Sequence, residues 1–414
     1  MIKVAVIGAG HRGNLAYASQ FLNRNDIKAV SFTDTDEEKL KIMQVKYNLS
    51  DEYLFNSTEE FFKALDKEKF CDAVIIATPD RDHFETCMKV LDYDLHILLE
   101  KPISSEAIHV KKIAQKAAEK NKVFMICHVL RYAPLYTKIK ELLNENAIGE
   151  IININHNENI GYYHFAHSFV RGNWRNEELS SPLILQKSCH DMDILLYFLN
   201  KKPINISSYG SLKYFNKKNQ PEDASDRCYN CKYQDSCIFS STKFYESDLG
   251  KGWRSVVTNS YDHEGLMKDL KEGPYGRCVY ECDNDVCDHQ SISIEFEDGV
   301  TAVFNLSAFS NHIHRNIKIQ GTKGEMWADD FTNEITVRRF KENESKTYYV
   351  SSSSGHGGGD IKLMEAFIDA IKGDSSKVTS GANESVMSHF MCFASEKSRK
   401  ENIKVDIDEF IRGI

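Results

Sequence analysis

The sequence contains no uninterrupted apolar run approaching the roughly 20 residues that a helix needs to cross a bilayer, so we expect no membrane partner. It also lacks an excess of positive charge, because 61 acidic residues against 52 basic ones give a formal net charge of −9. A nucleic-acid partner, whose phosphates attract basic surfaces, is therefore not expected. No internal repeat or low-complexity tract divides the chain. Residue 1 leads directly into an apolar strand, which leaves no room for a signal peptide and predicts a cytoplasmic protein.

The length and composition are those of a two-domain globular protein. The chain has 414 residues, of which 41% are hydrophobic, and this is enough for a well-buried core. Residues 1–127 alternate short apolar strands with amphipathic helices, which predicts a parallel sheet covered on both faces, an α/β Rossmann domain. The predicted helices are 36–47, 57–66, 81–92 and 104–120, and the predicted strands are 2–7, 27–33, 72–77, 95–99 and 123–127.

The pattern changes after residue 127. Strand candidates now follow one another without intervening helices, which predicts an α+β domain over residues 128–414 with an antiparallel or mixed open sheet. We expect a helix at 188–199 to cover one face of this sheet and a second subunit to cover the other. The other predicted helices are 134–144, 360–372 and 383–398, and the predicted strands are 150–157, a hairpin over 291–307, 315–320, 325–328 and 334–340.

A glycine-rich segment directly after the first strand is the most informative feature of the chain. It follows the apolar run Ile2–Ile7 and precedes a predicted helix over residues 14–22. A strand, a glycine turn and a helix in this order form an anion site from backbone N–H groups, and side chains at the glycines would block a pyrophosphate. We therefore expect a dinucleotide to bind at Gly8, Gly10, His11, Arg12 and Gly13.

A carboxylate at the end of the second strand points to the form of the dinucleotide. Asp34 lies 21 residues after Gly13, close to the position from which an acid binds the ribose 2′-hydroxyl. Asp36 adds a second negative charge and is also expected to cap the following helix. Because two carboxylates would repel a 2′-phosphate, the sequence favours NAD over NADP.

Ligands of doubly wound sheets bind beyond the carboxyl ends of the strands. By position alone, this rule selects Thr78-Pro79 and Glu100-Lys101-Pro102 as site residues.

Short motifs in a characteristic order cover nearly the whole chain. They are residues 5–13, Ala77-Thr78-Pro79 with His83, Glu100-Lys101-Pro102, His190 with Asp193, residues 321–325 and Gly357-Gly358-Gly359-Asp360. Together these motifs resemble those of the Gfo/Idh/MocA oxidoreductases, the group of glucose–fructose oxidoreductase and inositol dehydrogenase. The resemblance implies an NAD-binding N-terminal domain, a C-terminal domain with a large, mostly antiparallel sheet, sugar or polyol substrates, and homodimers or homotetramers formed through the open sheet.

Lys101 is the first catalytic candidate. It follows a strand at the nicotinamide side of the predicted cleft, and a lysine whose pKa is lowered by desolvation can share the proton of a hydroxyl group that loses hydride. The resemblance to the Gfo/Idh/MocA family implies this acid–base role for the matching lysine. Thr78, Pro79, His83 and Glu100 are expected to contact the cofactor.

His190 is the second catalytic candidate, because the family pattern D-x-G-x-H-x-x-D is matched at His190 and Asp193. Gln186 stands in place of the first aspartate and a serine in place of the glycine. A neutral amide cannot stabilise an imidazolium by charge, so we expect Asp191 or Asp193 to orient His190. Lys187 adds a cation suited to a substrate carboxylate or to a second proton relay. Gln186 and Asp193 are also expected to contact the substrate.

Histidine, arginine and aromatic side chains between residues 164 and 175 suggest a pocket wall. Arginine binds carboxylates through paired hydrogen bonds, and aromatic faces stack on sugar rings. The alternative is packing in an interface, where the same residue types are enriched. The substrate candidates are His164, His167, Arg171 and Trp174, together with Arg131, which could neutralise a phosphate or a substrate anion.

Six of the eleven cysteines lie between residues 228 and 287, in a Cys-rich insertion at about 210–290. Thiolates at these spacings can converge on one structural zinc ion, and the expected ligands are Cys228, Cys231, Cys237, Cys278 and Cys282. Cys287 and His289 are spare candidates. The alternative is that the thiols are free. Disulfide bonds are disfavoured in a reducing cytosol. An iron–sulfur cluster is not expected, because its ligands usually lie in tighter runs.

Three functions remain open from the sequence. The leading hypothesis is an NAD-dependent oxidoreductase that transfers a hydride between a hydroxyl group of a sugar, polyol or sugar acid and nicotinamide. The alternative is an NAD-dependent glycosidase, which oxidises a sugar transiently and eliminates the aglycone. The third is a non-catalytic NAD-binding protein, an idea to which Gln186 lends some weight.

Overall fold

The computed structural model describes residues 1–260, 262–352 and 356–414. Its strands form one sheet of six and one of nine. The strands are β1 Ile2–Ile7, β2 Ile27–Thr33, β3 Leu54–Phe55, β4 Ala73–Ile76, β5 His96–Leu99, β6 Phe124–Ile126, β7 Ile151–Asn159, β8 Pro203–Ser211, β9 His289–Phe296, β10 Thr301–Ser307, β11 His314–Gly321, β12 Gly324–Asp329, β13 Glu334–Arg339, β14 Lys346–Tyr349 and β15 Val405–Asp406.

Helices cover both sheets and link their strands. The helices of the described residues are α1 Glu37–Tyr47, α2 Thr58–Lys67, α3 His83–Asp92, α4 Ala107–Ala118, α5 Pro134–Asn144, α6 Tyr162–Phe165, α7 Leu183–Leu199, α8 Ser241–Phe244, α9 Arg254–Val257, α10 His263–Glu272, α11 Gly359–Ile371, α12 Ala382–Glu401 and α13 Ile407–Arg412. None of these is both long and apolar enough to cross a membrane.

The first sheet is entirely parallel, with the order β3-β2-β1-β4-β5-β6. The strand order reverses between β1 and β4, and this is the point at which such sheets bind ligands beyond their carboxyl ends. The segments that follow β1, β4 and β5 carry the three predicted site motifs. The observed order confirms the predicted α/β Rossmann architecture.

A local signal in the sequence explains where α1 begins. The Asp36 carboxylate accepts hydrogen bonds from the backbone N–H groups of Glu38 and Lys39, as expected for an N-cap. The segment after the glycines differs from the predicted helix over 14–22. It forms a π-helical turn at His11–Tyr17 and a tighter 3-10 turn at Ala18–Phe21.

The second sheet has the order β14-β13-β12-β11-β7-β10-β9-β8-β15. Only the β7–β10 pair is parallel, so the sheet is mostly antiparallel, as the resemblance implied. Helix α7 covers its inner face and begins at Leu183, five residues before the predicted start. The earlier start follows from Pro182, which directly precedes the helix and is tolerated at that position.

The outer face of the second sheet is polar. Four strands are joined across it by side-chain hydrogen bonds, in which Ser291 donates to Asn305 (2.8 Å), Asn305 to Asn157 (3.0 Å) and Asn157 to Asn316 (2.7 Å). Val303 and Trp327 are exposed on the same face, by 36% and 39%. The expected second subunit on this face stays a prediction.

Helix α11 returns the chain to the first sheet. Leu363, Met364 and Phe367 of α11 are buried in one hydrophobic cluster with Val4 and Val6 of β1. The predicted second domain, 128–414, therefore completes one face of the first sheet. Between β8 and β9, the described residues of 212–288 form a lobe of short helices at the position of the predicted Cys-rich insertion, and part of this lobe is buried in the hydrophobic core of the second half.

Candidate active site

The turn after β1 has the shape required for a dinucleotide. Gly8 has a φ of +98°, and a Cβ there would lie 2.4 Å from the carbonyl oxygen of Ala77. A Cβ on Gly13 would lie 2.0 Å from the carbonyl oxygen of Gly8. A Cβ on Gly10, in contrast, would meet no described atom within 4 Å. Gly8 and Gly13 are thus required for the tight turn, whereas Gly10 faces open space that a pyrophosphate can fill.

The Asp34 carboxylate lies against this turn. It accepts hydrogen bonds from the backbone N–H groups of Ala9 (2.8 Å) and Asp36 (3.0 Å). Lys39 is 3.9 Å from Asp34 and 3.5 Å from Asp36. The carboxylate oxygens retain acceptor capacity, so Asp34 fits the ribose of a dinucleotide bound at the turn. Its position next to Ala9 agrees with the geometry that the spacing predicts.

The Arg12 side chain pairs with groups inside the protein. Its guanidinium contacts Glu100 (2.5 Å), Asp360 (2.7 Å) and the hydroxyl oxygen of Tyr17. Burial raises the pKa of Glu100, but the cations Arg12 and Lys101 outweigh this effect and hold the pKa below its ordinary value. The side chains of Arg12 and Glu100 thus belong to an internal cluster that ties the glycine turn to the end of β5, and their expected cofactor contacts stay a prediction. His11 is exposed at the start of the turn.

His83 connects the segments that follow β4 and β5. Its Nδ1 is 2.8 Å from the carbonyl oxygen of Pro102, and its Nε2 is 2.9 Å from that of Thr78. The peptide bond between Lys101 and Pro102 is cis. The Thr78 hydroxyl is buried without a protein partner among the described residues. His83 therefore fixes the two segments relative to each other, and Thr78-Pro79 keeps a polar group for a ligand.

The Lys101 ammonium reaches across the cleft between the two halves of the protein. It donates a hydrogen bond of 2.9 Å to the main-chain carbonyl oxygen of Gln186 in the first turn of α7. The Gln186 side chain points elsewhere, and its amide group donates to the Ser180 hydroxyl (2.5 Å) and the Ser181 carbonyl. Lys101 is thus held by a neutral acceptor, and Gln186 does not offer its side chain to a substrate in this arrangement.

His190 lies one turn further along α7, in a row of four histidines. Ring centroids are separated by 6.0 Å for His356–His190, 5.6 Å for His190–His128 and 5.5 Å for His128–His389. Burial, together with the ammonium of Lys101, holds the pKa of His190 well below its ordinary value. Its Nδ1 is buried and has no hydrogen-bond partner among the described residues. The expected orienting carboxylate is therefore missing.

The two aspartates expected to orient His190 pair with arginines. Asp193 forms two hydrogen bonds of 2.7 Å with Arg131, and Asp191 accepts 2.7 Å hydrogen bonds from Arg315 and His156. The sequence placed Arg131 and Asp193 in contact with the substrate. The structure corrects this, because both are buried and their charged groups bind each other.

Lys187 is the accessible end of a buried ionic network. Its ammonium is 3.2 Å from Glu158, and Glu158 is 2.6 Å from Arg315, which binds Asp191. The Lys187 side chain is 17% exposed, whereas Glu158 and Asp191 are fully buried. Burial lowers the pKa of Lys187, although Glu158 opposes this shift. Sequence analysis missed Glu158, whose only signal is a charged residue at an inward position of β7.

The aromatic wall forms in part where the sequence predicted it. His164 and His167 each lie 4.8 Å, between ring centroids, from Trp253 of the inserted lobe. His167 is hydrogen-bonded to the hydroxyl group of Tyr245 at 2.6 Å. Trp174 is 47% exposed. Sequence analysis missed Trp253. It lies in the inserted lobe, and no local sequence pattern shows that this lobe packs against residues 164–167.

Arg171 and the cysteines belong to the interior of the lobe. The Arg171 guanidinium donates 2.7 Å hydrogen bonds to the carbonyl oxygens of Phe239 and Arg277, and lies 3.4 Å from the sulfur of Cys228. This interior position replaces the substrate contact expected for Arg171. A cavity of about 30 Å³ is lined by Arg171 and four cysteines: Cys228, Cys231, Cys237 and Cys278.

The zinc prediction is not supported by the structure. Over the described ranges, no three His, Cys, Asp or Glu side chains are arranged to hold a metal ion, and all eleven cysteines are free thiols. Cys282 instead contacts the carbonyl oxygen of Cys278 within its own turn. Spacing alone was misleading because the cysteine side chains pack around the buried Arg171.

Comparisons with known proteins agree with this geometry. Residues 2–128 match the model of an oxidoreductase family with an NAD-binding Rossmann fold, and residues 140–407 match the C-terminal alpha/beta domain of the same family. The Bacillus subtilis protein YteT, named as an oxidoreductase, is 24% identical over 331 residues, which cover 74% of each chain. The 2,7-anhydro-N-acetylneuraminate hydratase of Escherichia coli is 25% identical over 213 residues, covering 51% of this chain and 53% of the hydratase.

A solved structure shows the same fold over the full length. Scyllo-inositol dehydrogenase from Lactobacillus casei, with bound NAD(H) and scyllo-inositol, superposes with a TM-score of 0.68 at 17% identity and covers 99% of each chain. At this identity the likeness concerns the fold alone. Several curated relatives are matched over only about half of their own length.

Proposed function

The chain belongs to the Gfo/Idh/MocA oxidoreductase family, and from this premise we propose that it is an NAD-dependent oxidoreductase acting on a sugar, polyol or sugar acid. The observation that carries the proposal is the position of Lys101. Its ammonium lies at the carboxyl end of β5, next to the switch point of the first sheet, and faces α7 across the cleft. An acid–base group is required at this place for hydride transfer from a carbinol carbon.

The residues around the turn fit the dinucleotide. Gly8, Gly10 and Gly13 leave room for the pyrophosphate, and Asp34 is available to the ribose hydroxyls. Asp34 and Asp36 disfavour a 2′-phosphate, which supports NAD over NADP. When bound, the nicotinamide supplies the hydride acceptor or donor. The Lys101 amine takes the proton of the substrate hydroxyl group, and the carbonyl oxygen of Gln186 holds the resulting ammonium in place.

A spectrophotometric survey tests the proposal. The purified protein is mixed with NAD and a panel of sugars, polyols and sugar acids, and absorbance at 340 nm is followed. We expect NADH formation with at least one member of the panel and none with the Lys101→Met variant. NADH binding without turnover on any compound would instead support a non-catalytic NAD-binding protein.

The alternative of a redox-neutral reaction is favoured by one observation. Lys187 and Glu158 provide an ion pair close to the start of α7 in addition to Lys101, and elimination next to a transient ketone needs such an additional base. One relative is named as a hydratase, and the addition of water to a molecule involves no net redox change. Release of nitrophenol from aryl glycosides without added NAD, and with no change at 340 nm, would select this alternative.

A further inference from the structure

The acid–base group that the family pattern assigns to His190 lacks its supporting carboxylate in this chain. Gln186 replaces the aspartate, and its amide is bound to Ser180 and Ser181. Asp191 and Asp193 are engaged by Arg315 and Arg131. His190 is only 4% exposed, and its buried Nδ1 has no partner in the described ranges. A ring in this position has no group to stabilise the imidazolium form and little contact with water.

His356 has what His190 lacks. Its Nδ1 is 3.3 Å from a carboxylate oxygen of Asp360, its ring centroid is 6.0 Å from that of His190, and its side chain is 39% exposed. Asp360 is itself fixed by Arg12, whose guanidinium lies 2.7 Å from the second carboxylate oxygen. A carboxylate at Nδ1 orients an imidazole and stabilises its protonated form, so that Nε2 is free for proton exchange.

The surroundings of His356 connect it to both halves of the cleft. The charged and titratable groups that face it are Asp360 of α11, Arg12 of the glycine turn, Lys101 after β5 and His190 of α7. Burial lowers the pKa of His356, and Asp360 opposes this shift. His356 also has a φ of +49°, and it is followed by Gly357 and Gly358 at +66° and +98°. Glycine adopts such backbone freely, so only His356 carries a conformational cost in this run.

Resting on the proposed function, we propose that His356 is the imidazole that transfers the reaction proton to solvent, with Asp360 as its positioning residue. One proton is released for each hydroxyl group oxidised. It moves from the substrate oxygen to the amine of Lys101, then to Nε2 of His356 and finally to water, while the hydride and its electron pair pass to the nicotinamide. The reverse order supplies the proton in reduction. His190 then lines the site as an uncharged imidazole.

The first test needs no turnover. In protein labelled with ¹⁵N-histidine, we expect His356 to carry its proton on Nδ1 when neutral, and to titrate at a lower pH in Asp360→Asn than in the unaltered protein. The His356→Gln variant assigns the resonance. A neutral ring protonated on Nε2, or a titration unmoved by Asp360→Asn, would overturn the dyad.

The second test uses the panel compound that gives the fastest NAD reduction. His356→Gln should lower kcat by about 10²–10⁴ with little change in KM, and added imidazole should restore part of the rate through the exposed side of the site. His263→Gln is the matched control, because His263 is paired with Glu246 in an imidazole–carboxylate pair elsewhere on the surface, and it should leave kcat unchanged.

The outcomes separate this proposal from the proposed function. A kcat for His356→Gln within twofold of the unaltered protein, or a loss that imidazole does not rescue, overturns the role of His356 and leaves the oxidoreductase proposal intact. If the unaltered protein reduces NAD with no compound, the proposed function fails, and the magnetic resonance test still decides whether the dyad exists.

Discussion

The ammonium of Lys101 and the main-chain carbonyl oxygen of Gln186 are joined by a hydrogen bond of 2.9 Å. Because a carbonyl carries no charge and belongs to the backbone, it fixes the ammonium without neutralising it. The family aspartate at this position would add a carboxylate next to the same group. The chain therefore keeps the lysine and holds it by a main-chain carbonyl group.

Replacing Lys101 with methionine removes the acid–base group and keeps most of the side-chain volume. We expect turnover to fall by about 10²–10⁴, and the Kd for NADH, measured by fluorescence titration, to change less than about threefold, because the turn after β1 is untouched. Lys112→Met, at an exposed site on α4, is the control and should behave as the unaltered protein. Near-normal turnover in Lys101→Met would exclude the assignment.

Asp34 should control the choice between NADH and NADPH. Asp34→Ser removes a negative charge beside Ala9, and we expect the ratio of the two dissociation constants to shift towards NADPH by at least about tenfold. Asp36→Ser removes the neighbouring charge but keeps a good N-cap for α1, so it should shift the ratio less. Equal ratios in the Asp34 variant and the unaltered protein would contradict a ribose contact.

The pair formed by Arg131 and Asp193 should matter for stability. Breaking a buried ion pair leaves an unpaired buried charge, and Arg131→Met is expected to reduce the free energy of unfolding by about 3–5 kcal/mol. Denaturant titration measures this loss, and the Arg131→Met/Asp193→Leu double variant should recover much of it. A stable Arg131→Met protein with a raised KM would instead favour the substrate role expected from the sequence.

Buried histidines should make the protein less stable in mild acid. Burial lowers the pKa of His167 to about 4 and of His389 to about 3, and it holds those of His128, His164 and His190 well below the ordinary value. The unfolded state therefore binds more protons between about pH 6.5 and 4, so stability is lost as the pH falls through this window. Each such proton contributes roughly 1.4 kcal/mol per pH unit. Urea titrations at several pH values would show a flat profile if the rings were protonated in the folded protein.

The outer face of the second sheet is the expected subunit interface. Trp327→Glu should introduce a charge on this face and convert a dimer or tetramer to smaller species, as measured by light scattering after size exclusion. Val45→Glu, at an 84% exposed residue of α1, is the control. A monomeric unaltered protein would remove the basis for this prediction.

The sequence was most informative where function is tied to the backbone. A glycine turn, an acid at the end of β2 and alternating strands and helices predict the first sheet, because steric and hydrogen-bond rules act over a few residues. The same rules brought the segments of Thr78 and Lys101 to one edge of the sheet. The fold class is confirmed on both counts, α/β followed by α+β.

Local sequence rules cannot predict which side chains far apart in the sequence contact each other. Nothing local distinguishes an arginine that meets a substrate from one that meets Asp193 or the carbonyl oxygens around Cys228. Cysteine spacing suggested a zinc site, but spacing does not fix side-chain direction. His356 could have been found from its place directly before the Gly357–Asp360 motif, although its approach to His190 depends on where α11 returns.

The packing of α11 against the first sheet has a consequence for folding during synthesis. Leu363, Met364 and Phe367 complete one face of the first sheet. These residues are synthesised only near the end of translation. Until then the hydrophobic cluster around Val4 and Val6 stays incomplete. A fragment ending near residue 127 would carry every motif for gripping the dinucleotide and still precipitate, whereas adding residues 359–371 as a separate peptide should rescue its solubility.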